Sequence, residues 1–234
     1  MAAYLRGALV QFMPTKLVPL PNVIVFQYNP ETMTHTWTQP PAARTGDSAN
    51  GDPLAVTGPP GEAFSFTLVV DATDPIADDM PVSGPLSVVS GVATRLAALE
   101  MLVHPSSSTS GGELLGTVTA GLAGIGKKKA KPPPREVPAD RLPVVLFVWG
   151  PGRIVPVRVT TLTITERLYN PLLIPTHAEA QIGLQVLTGK DLVGEDLVTK
   201  VAAAADTYTD SLREVLALAN LANAAESVIG MLPL

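Results

Sequence analysis

The chain contains no cysteine, which excludes disulfides, thiolate zinc sites and cysteine nucleophiles together. Three histidines are present, His35, His104 and His177, and they stand far apart with no H-x-x-x-H pair. Nothing in their spacing supports a metal site. Charge is scarce as well: 16% of residues are charged, against about 25% in an ordinary soluble domain. The balance is 16 Lys+Arg to 21 Asp+Glu, a formal net of -5. A duplex-coating protein needs a surplus of phosphate-neutralising cations, so nucleic acid is not an expected partner. Aromatic residues make up 5%, too few to favour a surface that stacks on small ligands or carbohydrates. Long apolar runs are missing too. A membrane span needs about 20 largely apolar residues. The two richest stretches, 85–103 and 215–234, are broken by Arg95 and Glu100, and by Asn220, Asn223 and Glu226. The first ten residues carry Arg6 inside an apolar stretch with no small-residue cleavage site after it, so no signal peptide is expected.

Chemistry-bearing motifs are equally thin. No G-x-S-x-G elbow exists, and no histidine has a nucleophile–base arrangement around it. Asp71, Asp74, Asp78 and Asp79 lack the alternating ligands and central glycine of a calcium loop, and read as turn and helix-start residues. Residues 121–128, GLAGIGKK, nearly spell a phosphate-binding loop. Lys128 stands where the magnesium-binding hydroxyl belongs, and Pro132–Pro134 follow where the helix should run. The basic cluster at 127–135 has no interleaved aromatics and reads as a solvated loop. No enzyme activity, cofactor or metal is therefore expected.

What the chain does have is proline, glycine and alternation. Its 23 Pro and 19 Gly punctuate segments that read as strands at 3–10, 23–28, 33–38, 63–71, 144–149, 153–168 and 177–187. AFSFTLVVD at 63–71 alternates most cleanly in the first half. Gly150-Pro151-Gly152 is short enough to turn a hairpin, and Pro156 predicts an edge strand or a bulge. Residues 40–61 have no period and predict an exposed loop; 105–141 predict a mobile insertion outside the core, touching a partner or lining a lumen. Trp37 and Trp149 fall on strands, as core or interface anchors.

Two segments change to a helical period. Leu86, Val89, Val92, Leu96, Leu99 and Val103 predict one amphipathic helix over 86–102, ending before His104-Pro105. Residues 195–230 predict a second, with Val198, Val201, Ala205, Tyr208, Leu212, Val215, Ala219 and Ala222 in a heptad-like seam. Ser211-Leu212-Arg213-Glu214 has capping-box form, so a break near Asp210 is expected. The stripe Val201, Tyr208, Leu212, Val215 and Leu216 is the candidate partner interface, with Asp206, Asp210, Arg213 and Asn220 facing away. The division expected is a β domain at 1–190 and a helical extension at 191–234. So much apolar sequence beside so little charge suggests burial against other subunits.

The order of three blocks resembles a known family. VFQYNPETMTHTW at 25–37 runs a strand through F-Q-Y-N-P into another strand; FSFTLVVDATDP at 64–75 is a strand followed by an acidic turn. Residues 146–187 then carry Trp149-Gly150, Tyr169, a proline turn and an alternating strand. This is similar to the tube-type domain of contractile injection systems, the phage-tail-like particles, and in particular to their baseplate tube initiator. The resemblance implies an α+β fold, a β-sandwich or partly open β-barrel of tail-tube type with one flanking helix, to which the helical extension is added. It implies a homo-oligomer, a hexameric ring made by pairing strands between neighbours. That ring would start the inner tube and adapt it to the spike hub, with inner-tube, spike-hub and other baseplate proteins as partners. Assembly would occur in the cytoplasm. Where relatives carry Arg-Ala before the last strand, this chain has His177-Ala178, and residues 195–234 lack the opening strand of a peptidoglycan-binding LysM module. An ordinary inner-tube subunit or a terminator cap, and a small-ligand or carbohydrate-binding β domain, are the alternatives.

Overall fold

The computed structural model describes residues 5–13, 20–41, 54–73, 83–104, 142–192 and 197–231. The expectations for 105–141, for the glycine and lysine segments within it, for most of the 40–61 loop and for Asp74, Asp78 and Asp79 lie outside those residues. Seven strands form one antiparallel sheet: β1 (Ala8–Met13), β2 (Leu20–Val25), β3 (Met33–Thr38), β4 (Gly61–Asp71), β5 (Val145–Val148), β6 (Ile154–Tyr169) and β7 (Pro175–Val186), in the order β2-β1-β5-β6-β7-β4-β3. Three helices are described: α1 (Ser83–Ser90), α2 (Ala93–Glu100) and α3 (Leu197–Met231). Among them no helix is long and apolar enough to cross a membrane. The class is α+β, and the described strands form one sheet that does not close into a barrel.

Alternation decides which face is buried. Along β4, Phe64, Phe66, Leu68 and Val70 point inward, and Ala180, Ile182 and Leu184 of β7 match them in register. Phe147 on β5 is three strand positions from β4, roughly 14 Å across a flat sheet at about 4.8 Å per strand. Its ring nevertheless lies 5.4 Å from Phe64 and 5.5 Å from Phe66. The sheet is rolled, and the phenylalanines fill the roll. Phe26, just past β2, comes in from the opposite sheet edge at 5.6 Å from Phe66 and 6.4 Å from Trp149.

Several expected elements need correction. The single helix over 86–102 is two, α1 and α2, parted at Gly91 with φ +55°. Gly91 N–H bonds back to Ser87 O, and Val92 N–H then bonds Pro175 O on β7, turning the chain toward the sheet. Val92, Leu96, Leu99 and Leu102 are buried, whereas Val89 is 72% exposed. Pro156 is at no bulge, and it meets an edge only locally, on the side where β7 has ended at Val186. It sits in β6 between β5 and β7, paired with Leu146, and its carbonyl accepts from Leu187 just past the end of β7. Its missing N–H faces that same side, where no strand asks for it. The bulge lies further along, between Val159 and Thr161. Strands β1 and β2 are displaced from 3–10 and 23–28 to 8–13 and 20–25. Finally, α3 runs unbroken through Asp210, because the Ser211 hydroxyl donates to Thr207 O four residues back instead of capping a new start.

A side chain at Gly91 would drive its Cβ into Pro175 O, in a backbone conformation that L-residues avoid. Gly91→Ala should cost about 3 kcal/mol, from left-handed strain and forced displacement together. Urea titration checks it; a loss below about 1 kcal/mol would show that the α1–α2 corner is not fixed on β7.

Candidate functional site

A rolled sheet that stays open must satisfy polar groups at both ends of the roll. At the end of β4 the task falls to the F-Q-Y-N-P segment. Phe26 is buried in the core; the Gln27 Oε1 accepts from Asp71 N–H (3.0 Å) and from Arg95 Nη1 of α2 (2.5 Å). Asn29 clips the chain before β1, accepting from Gly7 N–H and donating to Leu5 O, each at 2.9 Å. The motif is therefore a tie between the two sides of the roll, with α2 fastened across the gap. That gap leaves a cleft of about 300 Å³ between β2, β4 and α2, lined by Ile24, Leu68, Val70, Arg95, Ala98 and Leu99. Asp71 also receives His177 Nδ1 at 3.0 Å and Thr73 N–H at 2.6 Å. Burial pushes its pKa up, but these hydrogen bonds outweigh it and hold the carboxyl below its ordinary value.

At the start of β4 stands Glu62, 5% exposed, on the inner face of the roll. Its Oε1 takes Arg213 Nη2 of α3 at 2.6 Å and His35 Nε2 of β3 at 2.7 Å. Arg213 also lies over the Trp37 ring at 4.8 Å and pairs with Asp210 at 3.0 Å. His35 stacks on Phe64 at 4.3 Å, and the Arg153 guanidinium lies over the same ring at 5.0 Å. A buried carboxylate with two hydrogen-bonded partners is tolerable; an unpaired one is not. Burial and the neighbouring Asp210 raise the pKa of Asp206, with Arg213 opposing. One turn up the helix, Thr209 completes the join. Its hydroxyl accepts from Ile154 N–H (3.2 Å) and donates to Ile154 O (2.7 Å). It thereby replaces the strand partner that β6 lacks once β7 has ended at Val186. Tyr208 donates to Pro151 O at 2.9 Å.

The candidate interface residues are thus divided. The sheet-facing side of α3 is carried by Ala202, Thr209 and Arg213, of which Arg213 was expected to face away. Leu212 is half-buried beside the Gly152 turn, and Tyr208 is bonded to its own chain. Val201 is 37% exposed; Val215 and Leu216, beyond the clamp, are 60% and 61% exposed. Sequence reasoning missed Glu62 and Arg213, 151 residues apart; the available signal was an acidic residue at the first inward position of the strongest alternating strand.

Among the described residues the sheet has three open edges. β2 and β3 end the sheet, and among the described residues nothing pairs with β6 beyond Val157 on its β5 side. At the tip of the β6–β7 hairpin, Leu168 and Leu173 hold φ of 45° and 60°. Asn170 fixes that tip by accepting from Leu172 N–H and Ile174 N–H, leaving Leu172 and Leu173 77% and 81% exposed.

Removing the buried anion tests the clamp. Glu62→Ala should lower unfolding stability by about 2–4 kcal/mol, at the lower end of the cost of breaking a buried pair because Arg213 can still reach water. Denaturation monitored by circular dichroism reads this, and an unchanged midpoint would place α3 off the sheet. The other end answers to acid. Because Asp71 titrates lower folded than unfolded, its stabilisation is complete above about pH 4 and lost as pH falls through the folded value. Asp71→Asn should therefore flatten the acid limb of stability against pH, and an unaltered limb would show that the His177 pairing contributes nothing. Against known proteins, no protein-family model matches the chain, and no curated protein is significantly similar to it.

Proposed function

We propose that the chain is a structural, non-catalytic subunit of a contractile injection system baseplate, one that forms a ring, starts the inner tube and adapts it to the spike hub. The observation that carries this reading is that, among the described residues, β6 from 158 to 169 has no partner on its β5 side, while β2 and β3 end the sheet. Unpaired edges of this length in a chain with 16% charged residues invite pairing with another chain. Pairing between identical copies satisfies two of these edges in every subunit at once when the rotation closes, leaving the third for another layer.

The face that such a ring would turn toward its axis supports the same reading. Outward residues Thr36, Ser65, Thr67, Thr163, Thr165 and Gln181 are exposed and uncharged. The same face also carries Arg158, bonded to Gln185, and the Arg167–Glu179 pair at 3.0 Å, so the wall is polar and only sparsely charged. The role is mechanical, with no bond made or broken. A second reading, a small-ligand-binding β domain, is favoured by the cleft between β2, β4 and α2. In that case the edges would be covered by something other than copies of the chain.

Negative-stain images of the purified full chain, with light scattering, separate these readings. Rings with a mass near six times 24.4 kDa are expected. Long filaments would instead make the chain an ordinary inner-tube subunit, and monomers at high concentration would overturn the ring.

A further inference from the structure

Among the described residues, the far half of α3 lies exposed. The last side chain tied to the sheet is Arg213, and every described side chain from Glu214 onward is exposed. From Val215 to Met231 the helix continues for about 25 Å at 1.5 Å per residue. Val215, Leu216, Leu218 and Leu221 are each 60–66% exposed. Between Glu214 and Glu226 the sequence carries no charge at all.

The direction of these residues matters more than their number. At about 100° per residue, Ala202, Thr209 and Arg213 fall within about 40° of one another, on the side docked to the sheet. Val215, Leu218 and Leu221 fall about 100–160° away from that side, while Leu216 continues it. The apolar arc of the far half is wider than a single contact can cover. A helix apolar on most of its circumference is one buried among several neighbours.

What those neighbours are follows from charge and shape. An anionic lipid surface requires a basic face, and no Lys or Arg follows Arg213. A charged partner would find nothing here to read. The surface with the same uncharged, wide apolar arc is this segment in another copy. Ala217, Ala219 and Ala222 alternate with the leucines, allowing close approach between helices. The anchors on Glu62, Ile154 and Pro151 fix the helix direction, so identical copies around an axis present it at one height. We infer that the far halves of α3 from neighbouring copies pack against one another in a homotypic helical bundle, each helix wedged between two others. The count of two neighbours rests on the ring proposed above; the self-pairing does not.

The absence of cysteine makes the test clean. In the full chain, Val215→Cys with Leu221→Cys places thiols on opposite flanks of the arc. Mild oxidation should give a ladder beyond dimer on a non-reducing gel. Adding Leu218→Lys should abolish the ladder while the melting temperature of the reduced, dilute monomer stays that of its parent, since that side chain is 65% exposed. Cross-linking no stronger than for a control with exposed Leu5→Cys would overturn the bundle. Rings without a ladder would sink the bundle and leave the ring. A ladder without rings would keep the bundle and sink the ring, and monomers without a ladder would sink both.

Discussion

Phe147 reaches Phe64 and Phe66 although β6 and β7 lie between their strands, and everything else in the structure answers to that contact. Rolling the sheet far enough to stack those rings gives the inner face a closed aromatic centre. It also creates two open ends and leaves a seam where β2 and the latter part of β4 fail to pair. Apolar burial in the roll supplies the driving force, of order 1.5–3 kcal/mol for each large side chain fully removed from water. The ends then pose a polar problem, because backbone groups there have lost their ladder partners and water is partly excluded. Gln27 with Arg95 solves it at one end, and Glu62 with Arg213 and Thr209 solves it at the other. β4 spans both, and its two carboxylates, Glu62 and Asp71, each hold a histidine from a neighbouring strand.

Much of the sheet could be read from residues in order. Strand β3 falls where alternation of threonine with Met33, His35 and Trp37 places it, and β4 differs from its expected span by two residues at its start. Alternation is a local property, and local properties survive in a single sequence. The corner at Gly91 was illegible because the helical period of apolar residues runs straight through it. What breaks the helix is the carbonyl of Pro175, eighty-odd positions later in the chain. Pro156 misled for a related reason: proline is barred from a central strand only when its N–H side has a partner, and the end of β7 removes that partner.

The clamp on α3 illustrates a harder limit. Arg213 lies in a helix whose seam, read alone, puts it on the polar side, and Glu62 reads as an ordinary polar residue at a strand start. Each becomes meaningful only through the other. An apolar stripe identifies a burial direction when the helix lies on a surface along its whole length. Here the helix meets the sheet through Ala202, Thr209 and Arg213 and then leaves it. The stripe from Val201 to Leu216 consequently crosses two environments, one inside the subunit and one outside.

That departure bears on why so uncharged a chain has such a surface. A subunit meant to remain alone would shorten its edge strands or charge them, and would end a helix where its support ends. This one extends β6 well past β5 and extends α3 well past the clamp. The hairpin tip adds leucines held outward by backbone that is itself strained, at about 1–2 kcal/mol for each left-handed residue. Strain of that kind persists when the surrounding hydrogen bonds overdetermine it, and Asn170 supplies them. Edge, helix and tip are three separate costs to an isolated subunit, incurred at three separate places. Each would become favourable if another surface covered it, and the ring and the helical bundle proposed above would do so at the edge and the helix.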